Sequence, residues 1–378
     1  TFSGVAKVAK GWKGIDMDSK NALNEIAFCK IEYSGFDEPR ANISLWYETF
    51  LNIHDVTFSN INGCAINYKI FGTTPNPNLT IGANIMFGGS IPALITPFKN
   101  REFDEKTFRK FVSWQIEQGS TGVVPCGTTG ESPTLDHDEH RAVTETCIDE
   151  VAGRIPVLAG CGSNSTREAI GLTKHAEKVG AAGALIVTPY YNKPSQEGMF
   201  EHFKAINNET NIPIIIYNIP GRSIVDMTPE TMARCYHELK NVIGVKDATG
   251  NLARVPLQRA SCGANFLQLS GEDQTALGFN VHGGVGCISV TANVAPKLVS
   301  EFQKASLSGD QKKALEIEDV LSDLHDVMFI EPSPGPVKYA ASLLGLCEPD
   351  MRLPLVPISK ETKNKVKIAM VKAGLLKE

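Results

Sequence analysis

The sequence predicts an α/β fold, a (β/α)₈ barrel followed by a small helical region, on three observations. From residue 90 onward eight short apolar runs recur, rich in β-branched residues, and each is followed by a turn and a longer segment with helical spacing. Near-continuous apolar strands alternating with helices indicate a parallel sheet covered on both faces. A closed barrel and a doubly wound sheet both meet that description. The doubly wound sheet usually carries G-x-G-x-x-G after its first strand, whereas here TPFKNREFD follows, which favours the barrel.

The predicted strands are Ser90–Thr96 (SIPALIT), Thr121–Pro125 (TGVVP), Pro156–Gly160 (PVLAG), Gly183–Thr188 (GALIVT), Ile212–Tyr217 (IPIIIY), Val242–Lys246 (VIGVK), Phe266–Ser270 (FLQLS) and Val285–Val290 (VGCISV). Between them, Asp104–Gln118 places Phe108, Phe111, Val112, Gln115 and Ile116 on one helical face, and Gly119 ends it. Ser165–Val179 and Thr228–Leu239 open on capping residues, the second with Pro229 at its first helical position. Beyond the eighth unit, Gln311–Phe329 reads as an amphipathic helix, Pro332–Pro336 breaks the chain, and Val337–Leu344 and Lys360–Ala373 read as two more helices. The expected division is an extension over 1–85, a catalytic barrel over 86–310 and a helical domain over 311–378. The extension shows weak β alternation (DVTFSNINGCAINYKIFG) and holds two of the three tryptophans. Met86, just before the first barrel strand, reads as a candidate initiator. With one arginine and a slight excess of acids, the segment does not read as an organelle transit peptide.

Composition narrows the function classes. The 378 residues are 42% hydrophobic and 21% charged, with a formal net charge of −5, and the basic residues are interspersed with acidic ones. That balance argues against nucleic acid or an anionic membrane as main partner. No apolar run reaches the ~20 residues that span a bilayer, and no secretory signal opens the chain, so the expected location is cytoplasmic. Nine cysteines without C-x-x-C or zinc spacing read as reduced, buried thiols.

In a barrel of this kind the working residues sit where strands end. Strand two runs into PCGTTGES, strand four into TPYYNKP, strand five into YNIPGR, strand six into KDATG and strand seven into SGED. Lys246 ends the apolar strand VIGVK and would point into or over the barrel interior. Burial penalises an ammonium, and the neutral amine is the form that attacks a ketone to give a Schiff base. Two readings stand: a nucleophilic lysine, or a rim lysine paired with Asp247 or another acid. Tyr217 is either a proton relay, assisted by a hydroxyl such as Thr128, or a core tyrosine. Arg222 is either a carboxylate-holding fork or a surface ion pair. The GTTGES loop suits a carboxylate, with two hydroxyls and free amides, but lacks the Gly-Lys-Ser/Thr of a nucleotide loop; a purely structural turn is the other reading. His137 and His140, three apart within DHDEH, look more like the solvated start of a helix than a metal site.

Taken together, GTTGES, TPYYNKPSQEG, IYNIPGR, GVKDATGN, LSGED and GCISVTANV make residues 87–376 resemble the dihydrodipicolinate synthase family, within the pyruvate-dependent class I aldolases that include N-acetylneuraminate lyase. The resemblance implies a Schiff base between pyruvate and Lys246, with no metal or other cofactor. It implies Tyr217 as proton relay, working with Thr128 and with Tyr191 donated by a neighbouring subunit of a homotetramer. Thr129 would hold the pyruvate carboxylate, Arg222 the carboxylate of aspartate 4-semialdehyde, and Gly271 and Ile288 would line the pocket. The sialic-acid lyases share the lysine and tyrosine but lack the arginine, so Arg222 favours the synthase. A feedback site for lysine maps to Ser132, His137, His140, Asn164, Glu168 and Tyr190, with Pro133 where many lysine-sensitive members carry a small residue. Residues 1–85 have no counterpart in the family.

Overall fold

The computed structural model describes residues 87–377 and eight short strands between residues 15 and 81. The chain divides into two compact units, Thr1–Ala83 and Asn84–Glu378. In the first unit the strands pair only in parallel: Ile15–Met17, Ile43–Leu45 and Ile66–Tyr68 form one small sheet. Glu25–Ala27, Leu51–His54 and Leu79–Ile81 form a second, and Lys30–Glu32 with Thr57–Ser59 a third. The stretch DVTFSNINGCAINYKIFG thus feeds two different sheets instead of closing a hairpin. Met86, Trp12, Trp46, Cys29 and Cys64 lie outside the described residues.

The second unit is built on parallel strands β1 (Gly89–Pro92), β3 (Leu158–Gly160), β4 (Gly183–Val187), β5 (Ile214–Asn218), β6 (Val242–Asp247), β7 (Leu267–Ser270) and β8 (Gly286–Ser289). They pair in the order β3-β4-β5-β6-β7-β8-β1. The remaining position, β2, is held by Val123 and Val124 alone, which bridge to Val157 and Ala93 and so join the two ends of the ladder. The expected five-residue strand TGVVP is cut to two residues because Pro92, Pro125 and Pro156 lie on or beside it and cannot donate to a ladder.

Side chains alternate across these strands. Leu185, Ile215, Tyr217, Leu267, Leu269 and Ile288 form the inner cluster. Ile186, Ile214, Ile216 and Val245 face outward onto the helices. Since Val245 faces out, Lys246 faces in.

The helices follow their signals. Glu105–Glu117 is capped by Asp104, which accepts from Thr107 N, and buries Phe108, Phe111, Val112 and Gln115. Pro229–Glu238 is capped by Thr228. Ser165 stands at the cap of Thr166–Val179 without making a side-chain capping bond; its own N–H donates to Ser163 Oγ. The carboxy-terminal helices Gln311–Val327, Gly335–Leu343 and Lys360–Lys372 share one apolar cluster with the barrel, in which Leu321, Val337, Ala340 and Val366 join Phe98, Phe108 and Val299. No helix among the described residues is long and apolar enough to cross a membrane.

Candidate active site

β5 and β6 set the site. Their register pairs Tyr217 with Lys246 and Asn218 with Asp247. The first pair faces the barrel interior, and the Lys246 ammonium sits 4.1 Å from the centre of the Tyr217 ring, with both residues buried. The second pair faces the helices. There Asp247 accepts from Thr249, from Arg254 Nε at 3.1 Å and from Gln258 Nε2 at 2.6 Å, and Arg254 also donates to Asp226 and to Met227 O. Asp247 is therefore fully engaged on the far side of its strand. Among the described residues Lys246 has neither hydrogen bond nor ion pair, so Asp247 is not its partner; the acid whose charge it meets is Glu272, in the same cavity wall.

Around Lys246 lies a cavity of about 70 Å³ whose wall includes Thr128, Thr129, Tyr217, Arg222, Gly271 and Glu272. Gly271 is required by close approach: a Cβ there would stand 3.0 Å from Lys246 Cε and 2.7 Å from Ala248 Cβ. Phe329 and Ser333, from the carboxy-terminal region, complete the wall. Neither of them carried a local signal that marked it from sequence, whereas Glu272 lies in the SGED turn that ends strand seven. Burial and the neighbouring Asp273 push the Glu272 carboxyl above the usual range.

The GTTGES loop is tightly folded. Gly130 N–H donates to Gly127 O and Glu131 N–H to Thr128 O, while Thr96 Oγ1 donates to Gly130 O at 2.7 Å. Cys126 and Glu131, at its two ends, both adopt left-handed backbone with φ of 55°. The same strain recurs at Tyr191, Lys193 and Ile224 in neighbouring rim loops. Gly160 lets the loop approach β3, since a Cβ there would meet Cys126 O at 2.2 Å.

A second, larger cavity of about 580 Å³ opens beside the first and shares Thr128, Ile219 and Arg222 with it. It brings together Ser132, Pro133, His137, His140, Glu168 and Tyr190. Glu168 accepts from Ser163 and pairs with His137 Nε2 at 2.5 Å, and those two contacts hold its carboxyl below the usual range. Burial pushes His140 down to about 4. His137 contacts Glu168 through Nε2 while His140 is buried neutral, so the two do not converge as ligands; among the described residues no group of three or more His, Cys, Asp or Glu could hold a metal ion.

Three candidates lie elsewhere. Ile288 is enclosed with Tyr217 in the inner cluster and is not part of the cavity wall, because its side chain is covered by apolar neighbours on adjacent strands. Asn164 lines neither cavity; its carbonyl accepts from Asn192 Nδ2 at 2.9 Å. Tyr191 is 88% exposed within this chain and touches neither cavity. Tyr217 and Thr128 face the same cavity, with no hydrogen bond joining them. Cys126 and Cys161 are buried thiols; burial pushes Cys126 up to about 12 and Cys161 well above the ordinary thiol range, which is an unreactive state.

Comparison with known proteins places the chain in a family. Residues 86–373 match the Dihydrodipicolinate synthetase family. The chain belongs to that family. It is 67% identical over 291 residues to the 4-hydroxy-tetrahydrodipicolinate synthase of Parvibaculum lavamentivorans, covering 77% of this chain and all of the relative. Among solved structures, the dihydrodipicolinate synthase of Acinetobacter baumannii complexed with pyruvate is 42% identical with a TM-score of 0.75, covering 76% of this chain and 99% of that one. The enzyme of Cyanidioschyzon merolae with lysine bound is 37% identical with a TM-score of 0.74, covering 77% and 99%. For this synthase-family chain, the matched region leaves the first compact unit outside the family.

Proposed function

We infer that this chain is a 4-hydroxy-tetrahydrodipicolinate synthase, a lyase that condenses pyruvate with L-aspartate 4-semialdehyde in lysine and diaminopimelate synthesis. The observation that carries the reading is a buried lysine without a hydrogen-bonded carboxylate, set over a tyrosine ring in a cavity that also holds two threonines and an arginine. The Lys246 amine adds to the pyruvate ketone and water leaves, giving an imine. Loss of a proton from the methyl carbon gives an enamine, which forms the new carbon–carbon bond to the aldehyde carbon. The amino group of the joined substrate then displaces the lysine nitrogen as the ring closes. Tyr217 moves the protons between the lysine nitrogen and the hydroxyl that leaves as water, with Thr128 and a neighbouring subunit's Tyr191 as relay. Thr129 and the loop amides hold the pyruvate carboxylate, and Arg222 receives that of the semialdehyde. The imine is itself the electron sink, so this route calls for no further cofactor or metal.

Assembly as a homotetramer fits the exposure of Tyr191. Feedback by lysine fits the larger cavity, where Glu168 suits an ammonium, and the relative with lysine bound supports it. Catalysis belongs to the 86–310 barrel with the 311–378 helices against it, and 1–85 is an extension whose removal leaves turnover intact. The test is borohydride reduction with pyruvate, followed by peptide mass mapping and an aldehyde panel. A reduced pyruvyl adduct on Lys246 and turnover of aspartate semialdehyde are expected. Cleavage of sialic acid or a keto-deoxy sugar acid without semialdehyde turnover overturns the reading.

A further inference from the structure

Next to the end of the GTTGES loop stands Glu131, a residue with no part in the chemistry above and an uncommon environment. Its side chain is fully buried, as is that of Lys338, which comes from the helix Gly335–Leu343 in the carboxy-terminal region. Lys338 Nζ donates to Glu131 Oε1 at 2.5 Å and to Asp350 O at 2.7 Å. The second oxygen, Glu131 Oε2, accepts the Arg352 backbone N–H at 3.1 Å. The Arg352 side chain then grips both oxygens of Glu139 at 2.5 and 2.6 Å and donates to Thr134 O at 2.9 Å. Phe98 lies between the two cations, its ring centre 4.1 Å from Lys338 Nζ and 4.4 Å from Arg352 Cζ.

Burying both members of an ion pair costs several kcal/mol per ion before attraction and hydrogen bonds offset it. Burial indeed pushes the Lys338 ammonium below its ordinary value, with Glu131 opposing that shift. A pair of this kind is weak evidence for stability and fits better with fixing one conformation among several. Here the conformation is identifiable. Glu131 is held left-handed two residues after Thr129, and every hydrogen-bond-capable oxygen of its carboxylate is taken by the carboxy-terminal region. The region that supplies the grip also places Phe329 and Ser333 in the cavity wall.

We propose that Lys338, with Glu131 and Arg352, is a positioning device: it clamps the carboxyl end of the GTTGES loop so that Thr129 and the loop amides stand ready for the carboxylate of the keto-acid substrate. The inference rests on the reading of that loop as the pyruvate-carboxylate site. The carboxy-terminal helices are on this view part of the substrate-binding apparatus. A misplacement of the loop by about 1 Å weakens the complex without altering the nucleophile, by a factor on the order of 10–100.

The test uses the full-length chain and the double variant Lys338→Met/Glu131→Gln, which removes both charges and leaves neither unpaired. The readout is the pyruvate concentration that half-saturates borohydride trapping on Lys246, together with the KM values and kcat. The expected result is a rise of about tenfold or more in the half-saturating pyruvate concentration, with the trapped adduct at saturation and the semialdehyde KM within about threefold of the parent. An unchanged half-saturation in a variant that melts cooperatively overturns the clamp. Absence of any adduct in the parent overturns the underlying reading instead. A second measurement needs no variant: hydrogen exchange of the parent with and without pyruvate. Slowing of the amides in 128–132 and 335–343 together supports the clamp, and slowing of the loop amides alone refutes it.

Discussion

Among the described residues two lysines are buried, and each holds its ammonium 4.1 Å over an aromatic ring, Lys246 over Tyr217 and Lys338 over Phe98. Beyond that ring the surroundings part. Lys338 is enclosed against the Glu131 carboxylate and a carbonyl, with its charge answered on the spot. Lys246 has an acid next to it in sequence, Asp247, but the strand pleat turns that acid to the other face, where Arg254 and Gln258 hold it. The paired lysine bridges the loop to the carboxy-terminal region. The other faces the cavity. What separates the two is a carboxylate in hydrogen-bond contact, which Lys338 has in Glu131, whereas Glu272 in the wall around Lys246 acts on it through charge alone.

The comparison breaks most sharply under single substitutions. Lys246→Met should abolish both turnover and the borohydride-trapped pyruvate adduct, since the covalent route is gone, while the melting temperature holds or rises because no partner is stranded. Lys338→Met alone should do the reverse to stability. It leaves Glu131 buried without its cation, at a cost of about 3–5 kcal/mol, which lowers the melting temperature by roughly 10 °C for a unit this size. Thermal melts of the two variants side by side check both statements; equal stability losses would erase the distinction. Tyr217→Phe comes next in effect. It removes the phenol while keeping the ring under Lys246, so the adduct should still form and turnover should fall by ~10²–10⁴-fold. Single-turnover trapping against steady-state rate separates the two steps. Gly271→Ala is milder: the new Cβ crowds Lys246 Cε and meets Ala248 Cβ at 2.7 Å, so adduct formation and turnover should both slow and the melting temperature should fall by less than in Lys338→Met.

Much of this was legible in the chain. The eight strands and the helices after them came from apolar periodicity, and Lys246 stood out because a lysine closes an apolar strand. Local pattern could not say which way Asp247 faces, and so left the paired and unpaired readings of Lys246 open; the alternation of Val245 outward and Lys246 inward rules out Asp247 as the partner. The prolines around Val123 and Val124 were visible, yet their effect on strand two depends on neighbouring strands needing the missing donors. The proposed roles of Tyr191 and Thr129 came from resemblance, and for Arg222 local pattern left a carboxylate fork and a surface ion pair open. Lys338 was invisible for a physical reason: its partner lies 207 residues away, and in PGPVKYAAS it reads as an ordinary helical lysine. Phe329 and Ser333 reach the cavity by the same long-range packing.

A third buried base shows the remaining way to meet burial, which is to give up the charge. His140 lies deep beside the larger cavity, and burial pushes it down to about 4 from an ordinary value near 6.5. Between those two values the unfolded chain binds a proton at this position that the folded chain does not. Stability therefore rises with pH across that window and is lost as the pH falls from about 6.5 toward 4, by up to about 1.4 kcal/mol per pH unit for one such group. His202 is set the same way, so it adds to the slope in the parent and stays in any His140 variant. His140→Asn should consequently lose roughly 1–2 kcal/mol less than the parent between pH 6.5 and 5. Urea unfolding at those two pH values measures the difference. Equal losses in parent and variant would mean that His140 accepts its proton inside the fold after all. In that case the larger cavity would gain a cation as the pH falls below about 6.5, and burial at His140 would not have been met by giving up the charge.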